Sequence, residues 1–141
     1  TGDPRIVGKV AEEARECRIA TQIEPDGSQP HELARSRSLS YTQMNTIAFM
    51  SIAHFAEAVE VDLWRYETPD GRSIRKAVDF LVPYAVKGER WTWQQITEHD
   101  SASFVGLLKR AAIGFKDPSY LEYIEYLPSS AVSDRVHLCL G

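Results

Sequence analysis

Between Ser40 and Val59 the chain carries Met44, Ile47, Ala48, Phe49, Met50, Ile52, Ala53, Phe55, Ala56 and Val59, which cover most of the circumference of a helix. A helix that is apolar nearly all round has to be covered on most sides, by a bilayer or by other helices. Asn45, His54 and Glu57 interrupt the run, which falls short of the roughly 18 or more apolar residues that a membrane helix needs. A transmembrane reading is therefore rejected, and the remaining segments have to supply the cover.

They carry the right pattern. Ile74, Ala77, Val78, Leu81, Val82 and Ala85 recur at three- and four-residue steps opposite Arg75, Lys76 and Asp79, which predicts an amphipathic helix over 73–85. Pro83 is expected to kink or stop it, because proline lacks an amide donor and crowds the preceding turn. Phe104, Val105, Leu108, Ala111, Ala112 and Phe115 predict a helix over 101–115, with Asp100 or Ser101 as N-cap. Ile6, Val7, Val10, Ala14 and Cys17 predict a first helix from Asp3 to about Ile19, with Cys17 buried on its stripe. Asp117-Pro118 opens a last short helix carrying Tyr120, Leu121 and Ile124, and from Leu127 onward no period is legible.

No strand alternation appears, so the expected fold is all-α, one domain over residues 1–141. A buried helix among amphipathic ones fits a layered or toroidal packing of helical hairpins better than a simple four-helix bundle. The segment from Thr21 to Arg37 loses its period, and its run Glu24-Pro25-Asp26-Gly27-Ser28-Gln29-Pro30 is dense in turn formers. A loop of that length inside a compact domain is a place to look for chemistry.

With 16 basic and 20 acidic residues the formal charge is −4, which argues against nucleic-acid binding driven by phosphate neutralisation. An anionic sugar polymer needs only a locally positive cleft, and Arg35, Arg37 and His31 offer one. No two histidines have ligand spacing, so no metal is expected, and His54 reads as a core histidine. His99 and His137 carry still weaker signals. Cys17 and Cys139 do not form a metal clip, and whether they pair stays open. The start Thr1-Gly2-Asp3-Pro4 shows neither an initiating methionine nor a signal-peptide pattern.

The most specific residues run from Gln22 to Leu81. They include Asp26-Gly27-Ser28-Gln29-Pro30, then Glu32-Leu33-Ala34-Arg35-Ser36-Arg37-Ser38-Leu39-Ser40-Tyr41, Val61-Asp62-Leu63-Trp64 and Glu67-Thr68-Pro69-Asp70-Gly71-Arg72-Ser73. This pattern resembles the alginate lyase family, in particular the branch acting on mannuronate and glucuronate polymers, over most of residues 5–96. The resemblance implies an α/α toroid, of which this chain would be the C-terminal part, with inner helices and loops lining a substrate groove. It implies that Tyr41 is the catalytic tyrosine and Arg35 a substrate-binding or tyrosine-activating arginine, with Arg37 as the alternative. It also implies an Asn-His pair N-terminal to this region. No Asn-His dipeptide occurs here, so the missing N-terminal portion of the same domain is an expected partner. Secretion or a periplasmic location is implied as well, and no cofactor.

The chemistry supports these choices independently. Eliminating a 4-linked uronate requires removing a weakly acidic C5 proton, balancing charge on the C6 carboxylate and protonating the departing O4. A free phenol, with its pKa of about 10, is a poor base until a neighbouring cation favours its ionised form, which an arginine does while staying charged. Where the proton and O4 lie on one face of the sugar, one tyrosine can serve as base and then acid. Trp91 and Trp93 are candidates for stacking on sugar rings, with Gln94 and Gln95 beside them to bond hydroxyls; core packing is the other reading of the tryptophans. Two further readings stand beside the lyase. One is a noncatalytic helical carbohydrate-binding domain. The other is an α/α-barrel glycoside hydrolase, which needs a carboxylate pair drawn from Glu24, Asp26 and Glu32.

Overall fold

The computed structural model describes residues 3–87, 89–96 and 102–127. The α-helices among them are α1 (Pro4–Glu13), α2 (Ala20–Gln22), α3 (Pro30–Leu33), α4 (Ser38–Ala56), α5 (Ile74–Val86), α6 (Ser103–Phe115) and α7 (Ser119–Glu122). A π-helical stretch, Ala14–Ile19, joins α1 to α2, and 3-10 turns follow α4 (Glu57–Val59) and α7 (Tyr123–Tyr126). Among the described residues there is no strand, only an isolated antiparallel bridge between Arg37 and Gln95. The fold is all-α. No helix among them is long and apolar enough to cross a membrane.

The helix that most constrained the sequence is also central in space: α4 packs against α1, α5 and α6. Phe49, Met50 and Ala53 of α4 share one core with Ile74, Val78 and Leu81 of α5 and with Phe104, Leu107 and Leu108 of α6. Leu81, Leu107 and Leu108 are each 1% exposed, and burying a side chain of this kind stabilises by roughly 1.5–3 kcal/mol. All the apolar positions expected in the helices over 73–85 and 101–115 are buried. Ser73 caps α5, its Oγ accepting the Lys76 amide at 3.1 Å. Pro83 neither stops nor ends α5 where it stands, since the helix runs on to Val86. So close to the end, the ring removes one amide bond and little helix remains to be lost.

The all-round burial expected of α4 is incomplete, for Met44 is 61% and Phe55 60% exposed. His54 is not a core residue. It is exposed, with Nδ1 3.8 Å from Glu57 Oε2, because the buried face here runs through Met50, Ala53 and Ala56 and residue 54 is turned about 100° from residue 53. Cys17 is likewise exposed rather than buried, as are Ile6 and Val10. The buried positions are Ala11, Ala14 and Ile19. A π turn advances five residues where an α turn advances about four, so Ile19 returns to the inner side under Ala14 while Cys17 swings outward.

The unpatterned segment 21–37 contains α3 and a tight turn in which the Glu24 amide bonds to the Ser28 carbonyl at 2.8 Å and the Gly27 amide to the Glu24 carbonyl at 2.8 Å. Gly27 has φ +90, and a Cβ there would lie 1.9 Å from the Lys76 carbonyl oxygen. The turn therefore rests directly on α5. Asp117 opens α7, accepting from the Ser119 amide at 3.0 Å, and Tyr120 is buried behind it. Asp100, Ser101, His99, His137 and Cys139 lie outside the described residues.

Candidate active site

Tyr41 sits in the first turn of α4, its amide bonded to the Arg37 carbonyl at 3.0 Å, and its side chain is partly exposed. The guanidinium carbon of Arg35 lies 3.6 Å from the centroid of the Tyr41 ring, well inside the distance at which a cation is attracted to a π face. This is the closest cation–ring approach among the described residues, the others being 5.3 Å or more. Glu32 of α3 pairs with Arg35, its Oε2 lying 3.6 Å from the guanidinium. The short helix Pro30–Leu33 thus brings Glu32 to Arg35, and Arg35 lies on the ring of Tyr41.

Arg37 is placed differently. It occupies the N-cap position of α4 without a side-chain cap, since a guanidinium has no acceptor to offer the free amides. Its side chain is exposed, and no carboxylate among the described residues pairs with it. His31 is exposed on α3, and no hydrogen bond or ion pair joins it to Tyr41 or to either arginine.

The amides at the start of α4 are satisfied from a distant segment. Gln95 Oε1 accepts from the amides of Leu39 at 3.0 Å and Ser40 at 3.4 Å, while its Nε2 donates to Ser40 Oγ at 3.0 Å. Alongside, the Ser38 amide donates to the Gln94 carbonyl at 3.0 Å and the Ile96 amide to the Ser36 carbonyl at 3.0 Å. Trp91 Nε1 donates to Ser38 Oγ at 2.8 Å. Gln94 therefore contributes its backbone to this joint and leaves its side chain exposed. Gln95, expected with Gln94 to bond sugar hydroxyls, instead spends its side chain on the first turn of α4. Nothing in the sequence marked this role, because the helix begins at Ser38, ahead of the apolar run read from Ser40, and its N-cap residue Arg37 offers no side-chain acceptor.

Trp91 and Trp93 gather with Phe80 and Tyr84 of α5. Ring centroids are 4.8 Å apart for Trp91–Trp93, 4.9 Å for Tyr84–Trp91 and 5.8 Å for Phe80–Trp93. The rings meet edge-on or tilted, so part of each face is taken up by a neighbour, yet both indoles remain partly exposed. Burial, helped by Glu89 and Asp26, pushes the Tyr84 phenol above its ordinary pKa. Burial also pushes Tyr120 up, as does the hydrogen bond it donates to Asp79 Oδ1 at 2.7 Å. Neither of these phenols is suited to give up its proton.

One turn beyond Tyr41 on α4 is a cluster of amides that sequence reading also missed. Gln29, 1% exposed, donates from Nε2 to Thr46 Oγ1 at 2.8 Å. Asn45 Nδ2 donates to Gln29 Oε1 at 2.7 Å and to Gln22 Oε1 at 3.4 Å. The three carboxylates considered for a hydrolase each have a partner: Glu24 lies 3.8 Å from Arg72, Glu32 lies against Arg35, and Asp26 accepts from the hydroxyl and amide of Ser28, which hold its pKa low. A cleft of about 490 Å³ between α4 and α6, lined by Met50, His54, Phe55, Trp64, Arg110 and Ile113 among others, includes none of the expected site residues. Among the described residues no three His, Cys, Asp or Glu side chains gather as a metal site requires.

Comparison with known proteins bears on the family and the fold. The model of the family described as alginate lyase matches residues 1–91. The fold is similar to the crystal structure of an alginate lyase from Bacteroides ovatus, at 34% identity and a TM-score of 0.83, over 94% of this chain and 36% of that one. The chain thus spans little more than a third of that structure's length. No curated protein matches it. The matched span holds Arg35, Tyr41 and Trp91, and a family match over well more than half of the sequence, joined to a shared fold, has one meaning: the chain belongs to the alginate lyase family.

Proposed function

We propose that the chain carries the tyrosine side of a polysaccharide lyase site that cleaves 4-linked uronate polymers, polymannuronate, alginate or glucuronan, by β-elimination. The observation that carries this reading is the Arg35 guanidinium stacked 3.6 Å over the ring of Tyr41. When the phenol proton leaves, this fixed positive charge balances the negative charge that appears beside it.

The reaction then runs on one face of the sugar. The Tyr41 oxygen takes the C5 proton, the C5–H electron pair becomes the C4=C5 double bond, and the C4–O4 bond breaks. The proton now on Tyr41 passes to the departing O4, leaving an unsaturated uronate on one fragment and a hydroxyl on the other. Arg37 and His31, both exposed near the start of α4, attract the carboxylates of neighbouring units. Trp91 and Trp93 present apolar surface to sugar rings, with the Gln94 side chain beside them. The C6 carboxylate at the reacting unit is neutralised by an Asn-His pair supplied from the N-terminal portion of the same α/α toroid. The exposed apolar residues Ile6, Val10, Met44 and Phe55 suit a surface packed against that portion. Such an enzyme meets its polymer outside the cytoplasm, secreted or in a periplasm.

The test is elimination by the intact protein on polymannuronate, alginate and glucuronan, read as absorbance of the unsaturated product. Tyr41→Phe is expected to abolish the signal with the fold retained. Turnover near that of the parent protein would remove Tyr41 from the mechanism.

A further inference from the structure

The amide cluster beside Tyr41 is not used by the elimination chemistry. Asn45 lies four residues after Tyr41 on α4, so the two side chains share one face of the helix, one turn apart. Asn45 is the chain's single asparagine, and its Nδ2 is committed to the amide oxygens of Gln29 and Gln22. That leaves Asn45 Oδ1 as an acceptor and Gln22 Nε2 as a donor, neither with a partner among the described residues. Both residues are partly exposed; the buried Gln29, fixed in turn by Thr46, holds Asn45 in place, and Asn45 in turn ties Gln22. An adjacent acceptor and donor carrying no charge fit a sugar hydroxyl pair: one hydroxyl donates to Asn45 Oδ1 and its neighbour accepts from Gln22 Nε2.

We infer that Gln22 and Asn45, braced by Gln29, form a hydroxyl-binding subsite that sets the sugar ring in register with Tyr41. The inference rests on the lyase reading and adds specificity-determining residues to it. A neutral subsite complements the cations around it. Arg35 and Arg37 attract any polyanion, whereas the amide pair reads hydroxyl positions and so favours a uronate over other anionic polymers.

The test uses the intact protein carrying Tyr41→Phe, with binding of a 4-linked mannuronate or glucuronate tetrasaccharide measured by calorimetry. Asn45→Ala and Gln22→Ala are each expected to weaken binding about tenfold, as loss of one net hydrogen bond does. In the active protein the same changes raise KM more than they lower kcat. Asn45→Asp places a carboxylate against a polyanion, so its KM is expected to rise further and, unlike a packing defect, to fall back as salt screens the repulsion. Gln22→Ala separates recognition from folding, because Gln22 makes only the longer of the two contacts to Asn45. Unchanged affinity in Gln22→Ala and Asn45→Ala, with the parent still binding and cleaving, overturns the subsite alone. A parent that neither binds nor cleaves any uronate polymer overturns the lyase reading and the subsite with it.

Discussion

The side-chain oxygen of Gln95 accepts the amide of Leu39 at 3.0 Å, two residues before Tyr41, across a sequence separation of 56 residues. The first turn of the central helix is thus completed by a side chain from a distant segment. Removing it leaves two amides of that turn without their acceptor, at a cost of about 1 kcal/mol for a lost cap. Gln95→Ala is expected to lower the melting temperature by a few degrees and to reduce elimination more than this small loss of fold explains, because the turn that carries Tyr41 loses its cap. Thermal unfolding alongside kcat would show it; an unchanged kcat would mean the cap has no bearing on the tyrosine.

Arg35→Lys keeps the charge and removes the planar group that lies on the Tyr41 ring. A lysine ammonium is a hydrated point charge without a face to stack. Elimination is expected to fall by roughly tenfold or more, matching about 1.4 kcal/mol or more of lost transition-state stabilisation, while Arg37→Lys is expected to act mainly on KM. Equal effects of the two changes on kcat would remove the distinction between them.

Gly27→Ala tests the turn that seats the 24–28 segment on α5. The new Cβ meets backbone, the Lys76 carbonyl, at 1.9 Å, and φ +90 disfavours any residue with a Cβ. Such a clash cannot be relieved by a rotamer change, so a loss of about 2–4 kcal/mol is expected in denaturant unfolding. A loss below about 1 kcal/mol would mean that the turn moves freely away from α5.

Thr42 offers the opposite sign. Its hydroxyl is buried with no hydrogen-bond partner among the described residues. Thr42→Val keeps the shape and removes the orphaned group, so stability is expected to rise by about 1 kcal/mol. Urea titration of both proteins decides the matter, and a loss of stability would mean that the hydroxyl has a partner in solution.

Acid should weaken the fold through Asp26, Asp70 and Asp117. Asp26 and Asp117 are held low first by the hydroxyls of Ser28 and Ser119, and Asp70 by Thr68 and then Arg72. A carboxylate with a depressed folded pKa adds stability that is present above its unfolded value, about 3.9, and is lost as pH falls through the folded value. The loss is therefore expected below about pH 4. Asp26→Asn should flatten the dependence there when unfolding free energy is followed from pH 6 to pH 3, and an unaltered slope would rule Asp26 out as a contributor.

The parts of this structure legible in the sequence are those that obey one period. Every apolar position counted in α5 is buried, because a helix face repeats and the hydrophobic effect acts on each residue alike. His54 and Cys17 were misplaced because apolar residues on several sides of α4 and α1 allow more than one choice of inner face. At the site, Arg35 and Tyr41 stood out through a motif of contiguous residues. The capping role of Gln95 and the pairing of Gln22 with Asn45 did not, since the partners lie 16 to 56 residues away and an amide carries no charge or period to announce it.

The wide turn at Ala14–Ile19 gives the N-terminal helix two independent azimuths. A rule for which positions tolerate charge, counted in steps of three and four from Pro4, loses phase on crossing it and has to be restarted at Ile19. Shortening that turn by a single residue would restore ordinary α winding and swivel everything upstream, so that Ala11 would give up its place against the interior. The segment acts as a phase joint, resetting the count so that Ala11 and Ala14 before the offset and Ile19 after it all face inward.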